Sequence, residues 1–280
     1  MDQIKTYEPD NSLRKGYGAL IREIIAEIKD SRWLTYQLFK RDFFSMYKQS
    51  FIGILWIFIM PVMNVMVFVM LHNSGIFNFG TMSVPYPLFA ISGIAFWQLF
   101  AVGITACSNS LSSAGDMIKR INFSKKSLVI APVGRTLVSF LVQFILAGIL
   151  CLRYQFVPHP SIVFVPVVVL FIVCLTLGVG FIAAILNAIV RDTGNLLTVL
   201  VTFLMYLTPV LYAKPKIGLL AGLTEFNPLH YLVSAGRDLI LVGHIQEPFG
   251  FLAAAVFSVV LLFISLIIFH LTETRIAERI

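Results

Sequence analysis

His72, His159, His230, His244 and His270 are the residues to test first for metal or acid–base chemistry. None stands in HExxH or HxxxH spacing, so no pair shares one helix face for ligation. Cys107, Cys151 and Cys174 lie in apolar runs without CxxC spacing and read as packing residues, neither disulfide nor metal ligand. No phosphate-cradling GxxxxGK[ST] occurs, so the chain itself does not hydrolyse ATP by a P-loop mechanism. Intramembrane catalysis and ion coupling need ionisable groups inside apolar segments, where they are costly, and these segments hold almost none. The expectation is no catalytic residue, no metal, no cofactor in this chain, and a driving force that comes from a partner.

Two charged clusters and one aromatic set remain. Asp116, Lys119 and Arg120 form a short helical patch in NSLSSAGDMIKRINFSKKS. A solvated loop would account for those charges as well as a docking element does. Glu225, Arg237 and Asp238 lie between two apolar runs, Ile217–Leu223 and Leu229–Val242, that are too short to span a bilayer. Such segments read as re-entrant or interfacial helices, and Asn227-Pro228 marks a turn between them. An external loop with a surface helix is the alternative. Phe68, Phe89, Phe96, Trp97, Phe100, Tyr206 and Tyr212 occupy the middle or outer parts of apolar runs. Interfacial girdles account for Phe89 and Tyr212. Phe96, Trp97, Phe100 and Tyr206 lie deeper; helix packing competes with a substrate path for each of them.

The elements that must position these residues are membrane helices. Of 280 residues, 58% are hydrophobic and 12% charged, half the charge of a soluble domain. No Asp, Glu, Lys or Arg occurs between Lys48 and Asp116, Arg153 and Arg191, or Glu247 and Glu273. A span needs roughly 20 apolar residues, and the runs divide into six: 52–71, with Pro61 in its middle, then 88–107, 128–150, 161–190, 196–212 and 248–271. Six spans put both termini on one side. The N-terminal segment, residues 109–135, Arg191 and the tail carry 17 of the 21 Lys and Arg, which predicts cytoplasmic termini. The net charge of +7 then serves inner-leaflet anchoring and is not a nucleic-acid footprint. No cleavable signal peptide is expected.

Ahead of the first span, Trp33, Tyr36, Phe43, Phe44 and Tyr47 fall within an arc of roughly 100° on a helical wheel, with Arg41, Asp42 and Lys48 away from it. The pattern predicts an amphipathic interface helix that flows without a loop into the span. The residues alone favour a simple anchor that positions the first span. The chain is thus expected to be an all-α membrane protein: an N-terminal cytoplasmic segment (1–30), an interface helix (31–50) and one six-span domain (51–280) with short re-entrant helices before the last span.

Arg41-Asp42, Tyr47-Lys48-Gln49, Gly53, Leu55-Trp56 and Pro61, with Thr224-Glu225-Phe226-Asn227-Pro228-Leu229 as a second anchor, resemble type-2 ABC-transporter permeases that export polysaccharide. O-antigen and teichoic-acid exporters are the named branch of that family. The resemblance implies a homodimer in the cytoplasmic membrane working with two copies of a cytoplasmic ATPase, which binds the ATP and Mg. It implies export of an undecaprenyl-linked polysaccharide, with the lipid bilayer as a further partner. It assigns ATPase contact to Tyr36, Arg41 and Asp42 of the interface helix and to Asp116, Lys119 and Arg120 of a coupling loop. It makes Glu225, Asn227, Pro228 and Arg237 part of an outer gate of half-helices. It lines the channel with aromatics, for which Phe68, Phe96, Trp97, Phe100 and Tyr206 are the candidates, since flat sugar faces pack on aromatic rings. A type-2 exporter of lipid or drug shares this architecture, and a non-transporting scaffold stands as a third reading.

Overall fold

The computed structural model describes residues 17–277 except 47, 49, 76–83, 121, 122, 213 and 215–217, and omits the side chains of 17, 19, 116, 119, 120, 219, 220 and 274–277. The described residues are mostly helical, with no strand among them. In order they form α1 (Tyr17–Asp30), α2 (Arg32–Ser45), α3 (Trp56–Asn73), α4 (Tyr86–Ser113), α5 (Gly115–Arg120), α6 (Lys126–Arg153), α7 (Val165–Ile189), α8 (Asp192–Leu207), α9 (Leu219–Glu225), α10 (Pro228–Leu241) and α11 (Pro248–Ala277). Short 3-10 turns, Gly53–Leu55 and Pro160–Phe164, lead into α3 and α7.

Among the described residues, five segments are long and apolar enough to cross a membrane: Gly53–Asn73, Tyr86–Ser113, Lys126–Arg153, Pro160–Ile189 and Pro248–Glu273. They coincide with five of the six expected runs. The remaining run yields only α8, 16 residues ending at Leu207. Thr208 precedes Pro209, whose ring excludes the helical conformation from the residue before it, and Thr208 is accordingly extended.

The core is α4. Most of its apolar window is buried, against α6 and α7 as its main neighbours, with α11 on the far side of α7. Close approach depends on small residues, as in membrane bundles generally. A β-carbon on Gly103 would meet the Thr176 methyl at 2.5 Å, and one on Gly180 would meet the Cys107 side chain at 2.8 Å. Polar bonds cross the same contacts: Gln143 donates to Gln98 at 2.9 Å, and Asn187 Nδ2 to the Ser108 carbonyl at 3.0 Å. The Asn187 side-chain oxygen accepts from the Gly194 N–H at 3.0 Å, which pins the α7–α8 turn.

The helix ahead of the first span differs from expectation. It ends at Ser45, and Met46, Lys48 and residues 50–52 lie outside any helix before the 3-10 turn. Gly53 sits at φ +60, a left-handed backbone that glycine adopts freely, so the chain turns there instead of running on. Pro61 consequently falls in the second turn of α3, and the helix continues through it. The face of α2 seated on the bundle is the one opposite the aromatic arc. Leu38 is buried, and Phe39 fills the notch left by Gly134 of α6. Trp33, Tyr36 and Phe44 stay exposed.

Candidate functional site

The bundle has two functional ends. The terminal end carries α1, α2, α5 and the close of α11; the distal end carries α9, α10 and the start of α11.

At the terminal end, Lys126 is completely buried at the start of α6. Its ammonium bonds the carboxylates of Glu27 on α1, at 2.7 Å, and Glu273 on α11. Glu273 also accepts the Lys125 N–H, so one carboxylate caps the helix and neutralises the lysine. Burial pushes the Glu27 carboxyl up, but the nearby His270 ring and its bond to Lys126 outweigh that and hold it at about 2. Donor atoms of Glu23, Glu27 and His270 lie within 4.8 Å of one another, a spacing a metal would accept. Of these, Glu27 already has the Lys126 ammonium as its counter-charge.

Beside this clasp is a cleft of about 650 Å³ between α2, α4, α6 and α8. Arg41 and Asp42 line it and pair with each other at 2.9 Å. Arg41 also reaches the Met117 sulfur at 3.9 Å, so α2 and α5 meet here. Of the residues expected to contact a partner, Tyr36 and Arg41 are exposed. Asp116, Lys119 and Arg120 lie on α5, with side chains outside the described residues.

At the distal end, Asn227 ties two elements. Its side-chain oxygen accepts the Leu229 N–H at 3.0 Å, capping α10, with Pro228 at the first helical position. Its amide donates to Thr208 Oγ1 at 2.8 Å, so the end of α8 is fixed to the start of α10. Arg237 is buried in α10, stacked 4.0 Å over the Phe89 ring and bonded to the Pro209 carbonyl at 3.2 Å. Asp238 next to it accepts the Gln246 N–H at 3.1 Å. Glu225 is exposed at the surface and does not join Arg237. The four expected gate residues thus share one end of the bundle but not one contact. Lys214 and His230 belong to this end too, and sequence reasoning missed both. Lys214 pairs with Glu247 at 2.7 Å, and His230 packs on Tyr231. The sequence signal was the single Lys before Pro215 facing a single Glu before Pro248.

The structure separates the aromatics that depth had grouped. Phe96, Trp97 and Phe100 are buried in the core, with the Phe96 ring tilted against Phe140 at 5.2 Å between centroids. Phe68 is partly buried against the same cluster. Tyr206, on α8, is 70% exposed and lies near Phe203, also exposed.

The sequence pattern of ABC-2 type transporters matches residues 34–241. The chain is 26% identical over 261 residues to "O-antigen export system permease protein RfbA" of Myxococcus xanthus, covering 92% of this chain and 99% of that protein. It is 27% identical over 236 residues to the protein of the same name from Klebsiella pneumoniae, covering 83% and 89%. With the family pattern covering most of its length, from the interface helix through the end of α10, the chain belongs to the ABC-2 type transporter permeases.

Proposed function

We propose that this permease is the membrane subunit of an ATP-driven exporter that moves an undecaprenyl-linked polysaccharide across the cytoplasmic membrane. The observation that carries the reading is the nearly end-to-end match to a protein named for O-antigen export. In the proposed assembly two copies pair, as twofold closure is the commonest solution, and each rests on one copy of a separate ATPase. The ATP and Mg belong to that subunit.

The geometry supports a path for force. Arg41 on α2 touches Met117 on α5, so one partner surface can push both elements at once. Motion of α2 reaches the bundle through Phe39 in the Gly134 notch of α6. Six spans and cytoplasmic termini complete the reading. A helix of 16 residues covers about 24 Å, short of a hydrocarbon core of about 30 Å. Yet α8 starts beside Asn187 at the terminal end and its close is tied to Asn227 at the distal end. The buried turn Thr208–Leu211 supplies the missing rise. Glu225, Asn227, Pro228 and Arg237 then serve the gate at the outer face. The exposed rings of α8, Tyr206 foremost, face the polymer, and Phe68, Phe96, Trp97 and Phe100 stand behind them.

Complementation of a strain lacking this permease tests the substrate. Restored surface polysaccharide, with the lipid-linked glycan no longer accumulating inside, is the expected result; an accumulating lipid or drug would replace this reading with the other exporter class. Orientation is tested by cysteines at Val157 and Asn195. An impermeant external reagent should label the first and not the second, and the reverse pattern overturns the topology.

A further inference from the structure

The distal end holds two adjoining cavities that the gate reading does not use. The inner one, about 310 Å³, lies between α4, α10 and the turn before α11. The outer one, about 620 Å³, opens toward the surface. Lys214, Tyr231, Gln246 and Glu247 line both, so they form one continuous track.

The walls of this track have a definite chemistry. Lys214 and Arg237 stand among Asp238 and Glu247, and Glu225 adds a carboxylate at the outer cavity, so the lining carries both signs with one carboxylate in excess. His230 is 97% buried in the inner wall, and its Nε2 has no hydrogen-bond partner; the nearest candidate, Glu247 Oε2, is 3.7 Å away, beyond bonding distance. Nδ1 of the same ring is engaged by Ser234 at 3.2 Å, so the imidazole is oriented with Nε2 left over. Buried polar atoms are normally paired, and an oriented but unpaired one points to a missing partner. At the outer rim Phe226 is 90% and Phe249 88% exposed, and both rings line the outer cavity.

We propose that this track is a binding site for two or more uncharged sugar units of the exported chain, separate from the aromatics of α8. The inference rests on the polysaccharide reading above. A sugar hydroxyl donates and accepts at once, which suits a lining of mixed donors and acceptors. Phosphate or a uronic acid would meet the carboxylates of Asp238 and Glu247, and a cation would meet Lys214 and Arg237. The exposed rings of Phe226 and Phe249 offer flat apolar faces to the C–H side of a pyranose. The inner volume is at the lower bound of ordinary small-molecule pockets, about 300 Å³, and suits one or two sugars rather than a long segment. A site here holds the polymer after it has passed the bundle and opposes its return.

The test uses the full-length chain in lipid nanodiscs and saturation-transfer NMR. The probes are oligosaccharide repeats released by mild acid from the host's own surface polysaccharide, trigalacturonate, and inorganic phosphate. We expect the released repeats to be uncharged and to bind. The double variant Phe226→Ala, Phe249→Ala, and separately Glu247→Gln, should each weaken binding about tenfold, the loss of a stacking or hydrogen-bonding contact. All three side chains are surface-accessible, so the variants keep the fold. Failure of the wild-type chain to bind the repeats, unchanged affinity in both variants, or preference for trigalacturonate or phosphate overturns the site. If the wild-type chain restores export in the complementation strain but binds no repeat, the function stands and this site falls. If it restores no export, the polysaccharide reading falls on its own evidence.

Discussion

A β-carbon on Gly236 would lie 2.5 Å from the ring of Phe96. The α10 backbone therefore rests directly on a ring from α4 that is itself wholly buried and held against Phe140. This contact joins the short distal helix to the centre of the bundle. Gly236→Ala should cost about 1–3 kcal/mol, as overpacking of a tight core does, because neither backbone nor ring has room to move. Thermal unfolding of the purified protein measures it. The pair Gly236→Ala, Phe96→Leu should recover part of the loss, and a silent single variant would show that α10 is free of α4.

The Lys126 clasp gives a second expectation. Lys126→Met leaves the Glu27 and Glu273 carboxylates facing each other without their cation. Breaking a buried pair from one side costs about 3–5 kcal/mol. The clasp also has a pH signature. Glu27 is held at about 2, below its ordinary 4.5, so its contribution is complete above pH 4.5 and fades as pH falls toward 2. Glu27→Gln should remove that dependence. Protease sensitivity of α1, followed from pH 6 down to pH 3, reads both; identical profiles for wild type and Glu27→Gln would mean that the clasp does not hold α1.

The aromatic side chains divide by what alanine does. Trp97→Ala empties a buried site and should cost about 3–5 kcal/mol, with lower yield of folded protein. Tyr206→Ala removes an exposed ring and should leave yield unchanged while slowing display of the polymer at the cell surface. Folded protein and exported glycan are scored in the same cells. Normal export from a stable Tyr206→Ala protein would take α8 out of the substrate path.

For the partner, the charge reversal Asp116→Arg with Arg120→Glu should weaken ATPase binding or its stimulation by the permease, with insertion intact. Measured in a purified complex, unchanged coupling would leave α5 as a solvated loop beside Arg41.

Much of this architecture was legible because charge gaps in a membrane chain have one physical cause. Five of the six apolar runs end within a few residues of the helices they predict. The apolar run continues from Leu196 to Tyr212, but the helix in it stops at Leu207 ahead of Thr208-Pro209; apolarity alone does not carry the steric demand of a proline. The aromatics could not be sorted because α4 is apolar and buried on nearly every side, so its pattern contains no phase. Depth in a helix is readable from residue number, but facing is not. The Lys126 clasp was invisible for another reason. Its partners are 99 and 147 residues away, and no local pattern links them.

Those separations also order events during synthesis. When the ribosome has made Lys126, Glu27 already exists, and a first bond is possible while most of the chain is still unmade. Glu273 follows 147 residues later, after α7, α8 and nearly all of α11. The second bond therefore forms last, and only on a chain whose last long helix has been made in full. A chain that stops before that point keeps Lys126 half-neutralised and the start of α6 uncapped by the Glu273 carboxylate.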